Sequence, residues 1–463
     1  MFQGGGSERD SFSSKFGVIA AAAGSAIGLG NIWRFPYVAG ENGGGAFLLI
    51  YLLFIAAIGI PVMMSEFVIG RSAQLNAVGA FKKITPGKKW HLVGLLGVVS
   101  AFIILAFYTV VAGWTLEYLV QSVKWMLTAD KIGFAEMDND AVRSFFSSHY
   151  ESFVSGMWRP MIWFAVMMIL TGFIVISGVK NGIEKYAKIL MPILLVLLLV
   201  LVVRSLSLEG SREGLLFLFK PDFSTIKAAP MKIIVEALGQ AFFSLSIGMG
   251  TLITYGSYIK KKENLASTAV SVAFADTAIA IVAGLAIFPA VFAFGISPDS
   301  GPDLVYITLP VIFQSMSGGL IWAFMFFLLL CFAALTSTIS VLEVIVAYFS
   351  EQLKMTRKRA AILAMVSVSF LGILCMLSED VFAVFNGSPD LLLPLGGFFI
   401  VVFIGWVLSG DTTKGELSSD GKYKTGYYKI FMFLVKFVAP LAIALLFALG
   451  VYSKVITLFP SIG

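Results

Sequence analysis

The chain has 463 residues, of which 58% are hydrophobic and 13% charged, with a formal net charge of +6 and a mean hydropathy of +0.92. A soluble chain of this length needs far more polar surface, so a soluble globular protein is excluded. Apolar runs of about 20 residues recur, each long enough to cross a hydrocarbon core of roughly 30 Å, and only helices satisfy their own backbone there. The expected class is an all-α polytopic membrane protein.

The first fifteen residues, MFQGGGSERDSFSSK, lack the short basic region of a cleaved signal peptide, so the first apolar run is read as a span. Spans are expected at 15–37, 44–70, 91–125, 160–178, 184–204, 232–257, 266–295, 319–350, 360–378, 391–410 and 429–455, about eleven in all. Lysines and arginines cluster before span 1 and after spans 2, 6, 8 and 10, while loops 296–318 and 379–390 contain none. The positive-inside rule then puts the N-terminus in the cytoplasm and, after an odd number of spans, the C-terminus outside the cell. The same bias accounts for the net charge, so no nucleic-acid partner is invoked. Two loops on the opposite side are long, 126–159 and 296–318, and the second has room for a short helix folded over that surface.

Span 1 contains Ser25-Ala26-Ile27-Gly28-Leu29-Gly30, and span 6 contains Ser246-Ile247-Gly248-Met249-Gly250. The shared Ile-Gly-X-Gly pattern returns after five crossings, when the chain runs the other way through the membrane. That is the expected trace of an inverted repeat, residues 15–204 (spans 1–5) against 232–410 (spans 6–10), with 1–14 as a cytoplasmic tail and 429–455 as an added helix. Each glycine weakens a helix by about 1 kcal/mol relative to alanine, so paired glycines invite unwinding at mid-span. Close helix packing is the plainer use of such glycines.

Polar residues lie inside the expected spans: Asn31, Arg34, Glu66, Gln240, Ser244, Ser246, Asp276, Thr336, Ser337, Thr338 and Glu343. An ionised side chain at mid-membrane costs about 2.5–3.5 kcal/mol, so the acids need partners or a wet cavity. A single serine or threonine often only bonds back to the carbonyl one turn earlier. The donors are hard oxygens and suit a small monovalent cation such as Na⁺, although Asp276 and Glu66 also leave protons open. The two cysteines, Cys331 and Cys375, lie in apolar runs, and His91 and His149 stand far apart, so no disulfide framework or Cys/His metal cluster is expected. No Gly-X-Ser-X-Gly motif or mid-span histidine supports an intramembrane hydrolase, and no repeated pore motif supports a channel.

Three long stretches carry a resemblance. GSAIGLGNIWRFPYVAGENGGGAF at 24–47, GQAFFSLSIGMGTLITYGSY at 239–258 and ALTSTIS at 334–340 are similar to the first, sixth and eighth helix signatures of the neurotransmitter:sodium symporter family, in its bacterial amino-acid transporter branch. The likeness covers nearly the whole chain. It implies a transporter of two five-helix inverted repeats with helices 1 and 6 broken, sodium-coupled uptake of hydrophobic L-amino acids, and alternating access. Family members also carry amines and osmolytes, which stays as the alternative. The resemblance implies two sodium sites: the Ala26 carbonyl with Asn31, Ser244 and Asp276, and the carbonyls of Gly24, Ile27 and Ala333 with Thr336 and Ser337. It implies a substrate site built from Ser25, Ala26, Leu29, Gly30, Ile104, Tyr108, Phe243, Ser244, Ser246, Met249, Ser337 and Val341. Amides of Leu29 and Gly30 and the Tyr108 hydroxyl would meet the carboxylate, and nothing in the set suits a charged side chain. Met249 is unbranched and adaptable, so large and aromatic substrates are expected as well as aliphatic ones.

One departure bears on chloride. Relatives commonly carry asparagine where Asp276 stands, and chloride-dependent ones a serine four residues on, where this chain has Ala280. Asp276 is therefore expected to supply the negative charge that chloride supplies elsewhere, and chloride is not expected as a cofactor. For the gates, the resemblance implies Arg34 with Asp390 on the outer side and Arg9 with Glu351 on the inner side, flanked by Phe12 and Tyr258. Arg34 as a snorkelling anchor and Arg9 as a positive-inside charge are the plainer readings. Gly182 and Pro192 bracket nine residues of span 5 and form either a segment that unwinds toward the second sodium site or a static kink. The partners expected are the amino acid and the lipid bilayer, with no obligate protein partner.

Overall fold

The computed structural model describes residues 10–298 and 304–458, and every regular element among them is helical. Among the described residues nine helices are long and apolar enough to cross a membrane: Gly45–Ala73, His91–Ile132, Trp158–Ile176, Val179–Leu206, Leu265–Ala293, Gly319–Gln352, Arg357–Leu377, Glu379–Val407 and Tyr428–Val451. These are spans 2–5 and 7–11. Span 1 is a bent pair, Lys15–Ala26 and Gly30–Glu41, that turns by 49°.

The sixth expected span, 232–257, is not one helix. It forms Pro230–Ser244 and Thr251–Gly256, joined through 245–250. Ser246, Gly248 and Gly250 there have φ of 53°, 87° and 77°, values that end a right-handed helix. A side chain at Gly248 would collide with the Leu393 carbonyl, so span 10 fills the room that a continuous helix would use.

The first half of span 1 starts at Ser14, whose hydroxyl accepts from the Gly17 amide at 3.1 Å. It stops at Ala26, because Ile27 is extended. Spans 3 and 8 pack along one another, and span 8 also packs on both broken spans. Span 3 runs to Ile132, seven residues past its expected end at 125, and loop 126–159 then forms a further helix, Asn139–Val154, capped by Asp138. This helix buries Phe146 and Phe153 and wedges His149 between Tyr118 and Trp125. Burial pulls the His149 imidazole below its ordinary range, against the opposing pull of Glu117. In loop 296–318 a short helix does form, Leu304–Ser315, and it is largely buried; residues 299–303 lie outside the described residues.

Span 10 differs from expectation. It was expected from 391, yet helix begins at Glu379. Ser378 caps it by accepting from the Val381 amide at 3.3 Å, and Glu379 and Asp380 occupy the first turn, where the helix dipole favours acids.

At the N-terminal side of the bundle, Arg71 ends span 2 and is fully buried. Its Nε donates to Glu416 Oε2 at 2.8 Å, Nη1 to the Glu263 carbonyl at 2.6 Å, and Nη2 to the Glu416 carbonyl. Glu416 sits on Gly410–Ser418, the helix after span 10, and also meets half-exposed Lys261. Glu416→Ala leaves a buried guanidinium without its carboxylate, a loss of roughly 3–5 kcal/mol, whereas Lys261→Ala removes an exposed partner worth about 0–1 kcal/mol. In detergent melts, the first variant is expected to lose far more thermal stability than the second.

Candidate substrate and cation site

The deepest polar cluster joins spans 1, 2, 6 and 7. Asn31 Nδ2 donates to Asp276 Oδ1 at 2.7 Å, to the Asp276 carbonyl at 3.0 Å and to Ser244 Oγ at 3.2 Å. Ser244 Oγ lies 2.9 and 2.8 Å from the two Asp276 carboxylate oxygens. Asn31, Ser244 and Asp276 are completely buried. The sequence reading missed Tyr51, whose hydroxyl approaches Ser244 Oγ at 3.2 Å and Asp276 Oδ2 at 3.3 Å. A tyrosine inside the apolar run FLLIYLLF is the only signal that marked it. Carboxylate, hydroxyl and amide oxygens fit a hard, singly charged cation. Among the described residues no three His, Cys, Asp or Glu side chains converge, so the arrangement does not suit a transition metal.

The second set of expected cation ligands gathers where span 8 crosses the end of the first half-helix. Thr336 Oγ1 bonds back to the carbonyls of Ala333 (3.0 Å) and Phe332 (3.1 Å), the ordinary threonine habit. A Cβ built at Gly24 would lie 3.6 Å from Thr336 Cβ, so the two elements touch there. Ser337 Oγ lies 3.4 Å from the Ser25 carbonyl. Ile27 marks the end of the half-helix, its amide still bonded to the Ala23 carbonyl at 2.6 Å. Thr338 belongs elsewhere: its hydroxyl meets Thr171 of span 4 at 2.8 Å.

Between these clusters lies a small cavity. Ser25, Ala26, Gly30, Ile104, Tyr108, Phe243, Ser246, Met249, Ser337 and Val341 line it, together with Gly28 and Leu393, which the sequence reading did not assign. Leu29 and Ser244 do not line it. Leu29 acts through its amide, which donates to the Tyr108 hydroxyl oxygen at 2.9 Å. Ser244 faces Asp276 instead. A side chain at Gly28 would collide with Ser337 Oγ, and one at Gly30 would press on Phe243 at 3.0 Å, so both glycines let side chains close over the break. Ser246 Oγ donates to the Ser25 carbonyl at 2.9 Å, and Gln240 Nε2 to the Gly30 carbonyl at 2.9 Å, tying span 6 to span 1. Glu66 of span 2 accepts from the Gly248 amide at 2.7 Å and the Ile253 amide at 3.3 Å. The Ser25 hydroxyl is buried and has no hydrogen-bond partner.

Above the cavity, Arg34 Nη2 meets Asp390 Oδ1 at 2.6 Å, and the guanidinium carbon lies 4.8 Å from the Phe243 ring centroid. Of the other expected pair, Arg9 lies outside the described residues. Glu351 accepts from the Asn76 backbone and side-chain amides, both at 2.8 Å. Phe12 packs edge-on against Tyr255 and Tyr258 at 5.7 and 6.1 Å between ring centroids. Gly182 lies in a wide helical turn, Val179–Glu184, pressed so closely on the Ile174 carbonyl that a side chain would overlap it. Pro192 sits within the continuous helix Lys185–Leu206.

Comparison with known proteins agrees with this architecture. The model of the sodium:neurotransmitter symporter family matches residues 9–155 and 131–459. The sodium-dependent transporter YhdH of Bacillus subtilis (strain 168) is 37% identical over 448 residues, 94% of this chain and 96% of its own. A sodium-dependent transporter of Haemophilus influenzae is 37% identical over 460 residues, 95% of this chain and 98% of its own. The crystal structure of MhsT in complex with L-phenylalanine superposes with a TM-score of 0.85 at 46% identity, covering 95% of this chain and 99% of that one. The chain belongs to the sodium:neurotransmitter symporter family, and is a sodium-dependent multi-pass membrane transporter rather than an enzyme.

Proposed function

We propose that the chain is a sodium-coupled symporter of hydrophobic L-amino acids, aliphatic and aromatic, working by alternating access in the cell membrane. The observation that carries this reading is the polarity of the cavity. One end presents the hydroxyls of Tyr108, Ser246 and Ser337 and the unpartnered Ser25 hydroxyl. The remainder is Ile104, Phe243, Met249, Val341 and Leu393, with no charged side chain. A zwitterionic head fits the first end and an apolar side chain the second. The complex of MhsT with L-phenylalanine supports the same substrate class. The tyrosine oxygen already accepts from Leu29, so its proton is left to donate to a carboxylate.

The reading assigns one cation to Asn31, Ser244, Asp276 and the Ala26 carbonyl, and a second to Thr336 and Ser337 with the Gly24, Ile27 and Ala333 carbonyls. Na⁺ held beside the cavity supplies positive charge toward the substrate carboxylate, and linkage makes any gain in affinity mutual. Spans 1–5 and 6–10 act as inverted repeats around the site, with the N-terminus cytoplasmic and the C-terminus extracellular. Arg34 and Asp390 close the outer route, and Arg9 and Glu351 the inner one.

Asp276 brings a carboxylate into the first cation set, so chloride has no role to fill. At about 4 Å and an effective dielectric near 20, a unit charge is worth roughly 4 kcal/mol. In proteoliposomes, a sodium jump should drive accumulation of labelled leucine and phenylalanine, with no loss when gluconate replaces chloride. Asp276→Asn should raise the sodium concentration for half-maximal uptake at least ~10-fold, which needs only about 1.4 kcal/mol. Uptake that required chloride in the unaltered protein would overturn the assignment.

Leu393 tests the pocket itself. Leu393→Ala removes three carbons from the cavity wall, and each methylene is worth about 1–3 kcal/mol of discrimination. Competition binding should shift toward tryptophan over leucine by ~10-fold or more, and an unchanged ratio would show that Leu393 does not touch the substrate. For the segment between Gly182 and Pro192, unwinding toward the second cation site predicts amide exchange that slows when Na⁺ is added. Exchange indifferent to Na⁺ identifies a static kink.

A further inference from the structure

The far end of span 5 carries a feature that the transport reading does not use. Val196, Leu199, Val200 and Val203 line a groove of about 430 Å³ on the lipid-facing surface. They are 60%, 46%, 39% and 69% exposed and lie on one stripe of the helix, about 10 Å long at 1.5 Å per residue. Arg204, Ser207 and Trp322 of span 8 close its end. The groove adjoins a narrow cleft that shares Arg204 and Trp322 and reaches inward to Ser205, Phe313 and Met316.

Arg204 is under-satisfied. Its Nη1 donates to Ser207 Oγ at 3.2 Å, and its guanidinium carbon lies 5.7 Å from the Trp322 ring centroid. Its Nε is buried without a partner, as is the neighbouring Ser205 hydroxyl. Among the described residues no carboxylate forms an ion pair with it. The planar fork of a guanidinium matches phosphate oxygens. The tryptophan marks headgroup level. The placement agrees: Gly210 abuts Ala293, and Gly40 abuts Pro298, so Arg204 shares the bundle end that carries Arg34.

We propose that this groove binds one glycerophospholipid, its phosphodiester on the Arg204 guanidinium, and one acyl chain along the valine and leucine stripe. A free phosphate would leave the apolar stripe bare, and a neutral lipid would leave Arg204 unpaired. The site is independent of the substrate assignment.

Native mass spectrometry of the purified full chain, titrated with phosphatidylglycerol, dioleoylglycerol or inorganic phosphate, tests it. One phosphatidylglycerol is expected to be retained, at least ~10-fold more tightly than dioleoylglycerol, and inorganic phosphate should not displace it. Arg204→Gln should weaken retention ~10-fold and Arg204→Lys less. Val200→Trp, which fills the groove and keeps the guanidinium, should weaken it equally. Melting temperature verifies that each variant is folded. Retention unchanged in both Arg204→Gln and Val200→Trp would overturn the proposal. So would displacement by inorganic phosphate, which would make this an anion site, or equal retention of dioleoylglycerol, which would make it a purely apolar one.

Discussion

The structure depends on the satisfaction of two broken backbones inside the membrane. Unwound peptide groups in hydrocarbon cost several kcal/mol each unless protein supplies their partners. Spans 1 and 6 partner each other. Ser246 bonds the Ser25 carbonyl, Gln240 bonds the Gly30 carbonyl, and Asn31 Oδ1 accepts from the Gly28 amide at 3.1 Å. Glu66 takes two amides of span 6, and Tyr108 takes the Leu29 amide. Asn31, Glu66, Gln240 and Ser246, which looked costly at depth, therefore each have a backbone group to answer. Spans 3 and 8 supply Tyr108 and Ser337 at the level of the span 1 break.

That arrangement also places the site. Peptide groups freed from helical bonding are the membrane's only ready source of oriented dipoles, so a polar ligand is best held where two breaks meet. The Asn31–Ser244–Asp276 cluster lies beside this point and holds one buried carboxylate on neutral donors only. A buried charge with no cationic partner is costly, and the balance is restored by a proton or a bound cation. The proposed coupling rests on that balance: the pocket is electrically incomplete without its cargo.

Much of this was legible in the sequence, for identifiable reasons. Span positions follow from long apolar runs, and the Ile-Gly-X-Gly echo marked both breaks: Gly248 and Gly250 take positive φ, while Gly28 and Gly30 leave room for Ser337 and Phe243. Thr336, Ser337 and Thr338 looked like one cluster, yet helical geometry turns Thr338 toward Thr171. Tyr51 and Leu393 escaped notice because a tyrosine or leucine in an apolar run is usually core, and only tertiary packing turns them to the site. The start of span 10 was misplaced because Ser378-Glu379-Asp380 reads as loop by polarity but acts as a helix cap. In the same way Glu351 could be assigned to the inner face by position, whereas its bonds to Asn76 follow from how spans 2 and 8 meet.

The two closures of the cavity are unequal in strength. On the far side, one ion pair joins Arg34 to Asp390, with side-chain exposures of 15% and 37%, backed by the Phe243 ring. Such partly exposed pairs contribute about 0–1 kcal/mol. On the N-terminal side the Phe12 amide donates to the Tyr258 carbonyl at 3.2 Å, and the Ser13 amide to Glu184 Oε2 at 2.8 Å. Tyr258 donates in turn to Glu343 at 2.7 Å, and fully buried Glu343 holds Arg357 through both carboxylate oxygens. Glu184 also takes Lys188 at 2.5 Å, so the tail is anchored to the wide turn of span 5 that contains Gly182. Opening on that side must therefore free the tail and disturb span 5 together, while on the far side the Arg34–Asp390 pair and the Asn42–Glu236 bond must part. Under the proposed cycle, the inner opening is the step that must break the tail's bonds to Tyr258 and Glu184.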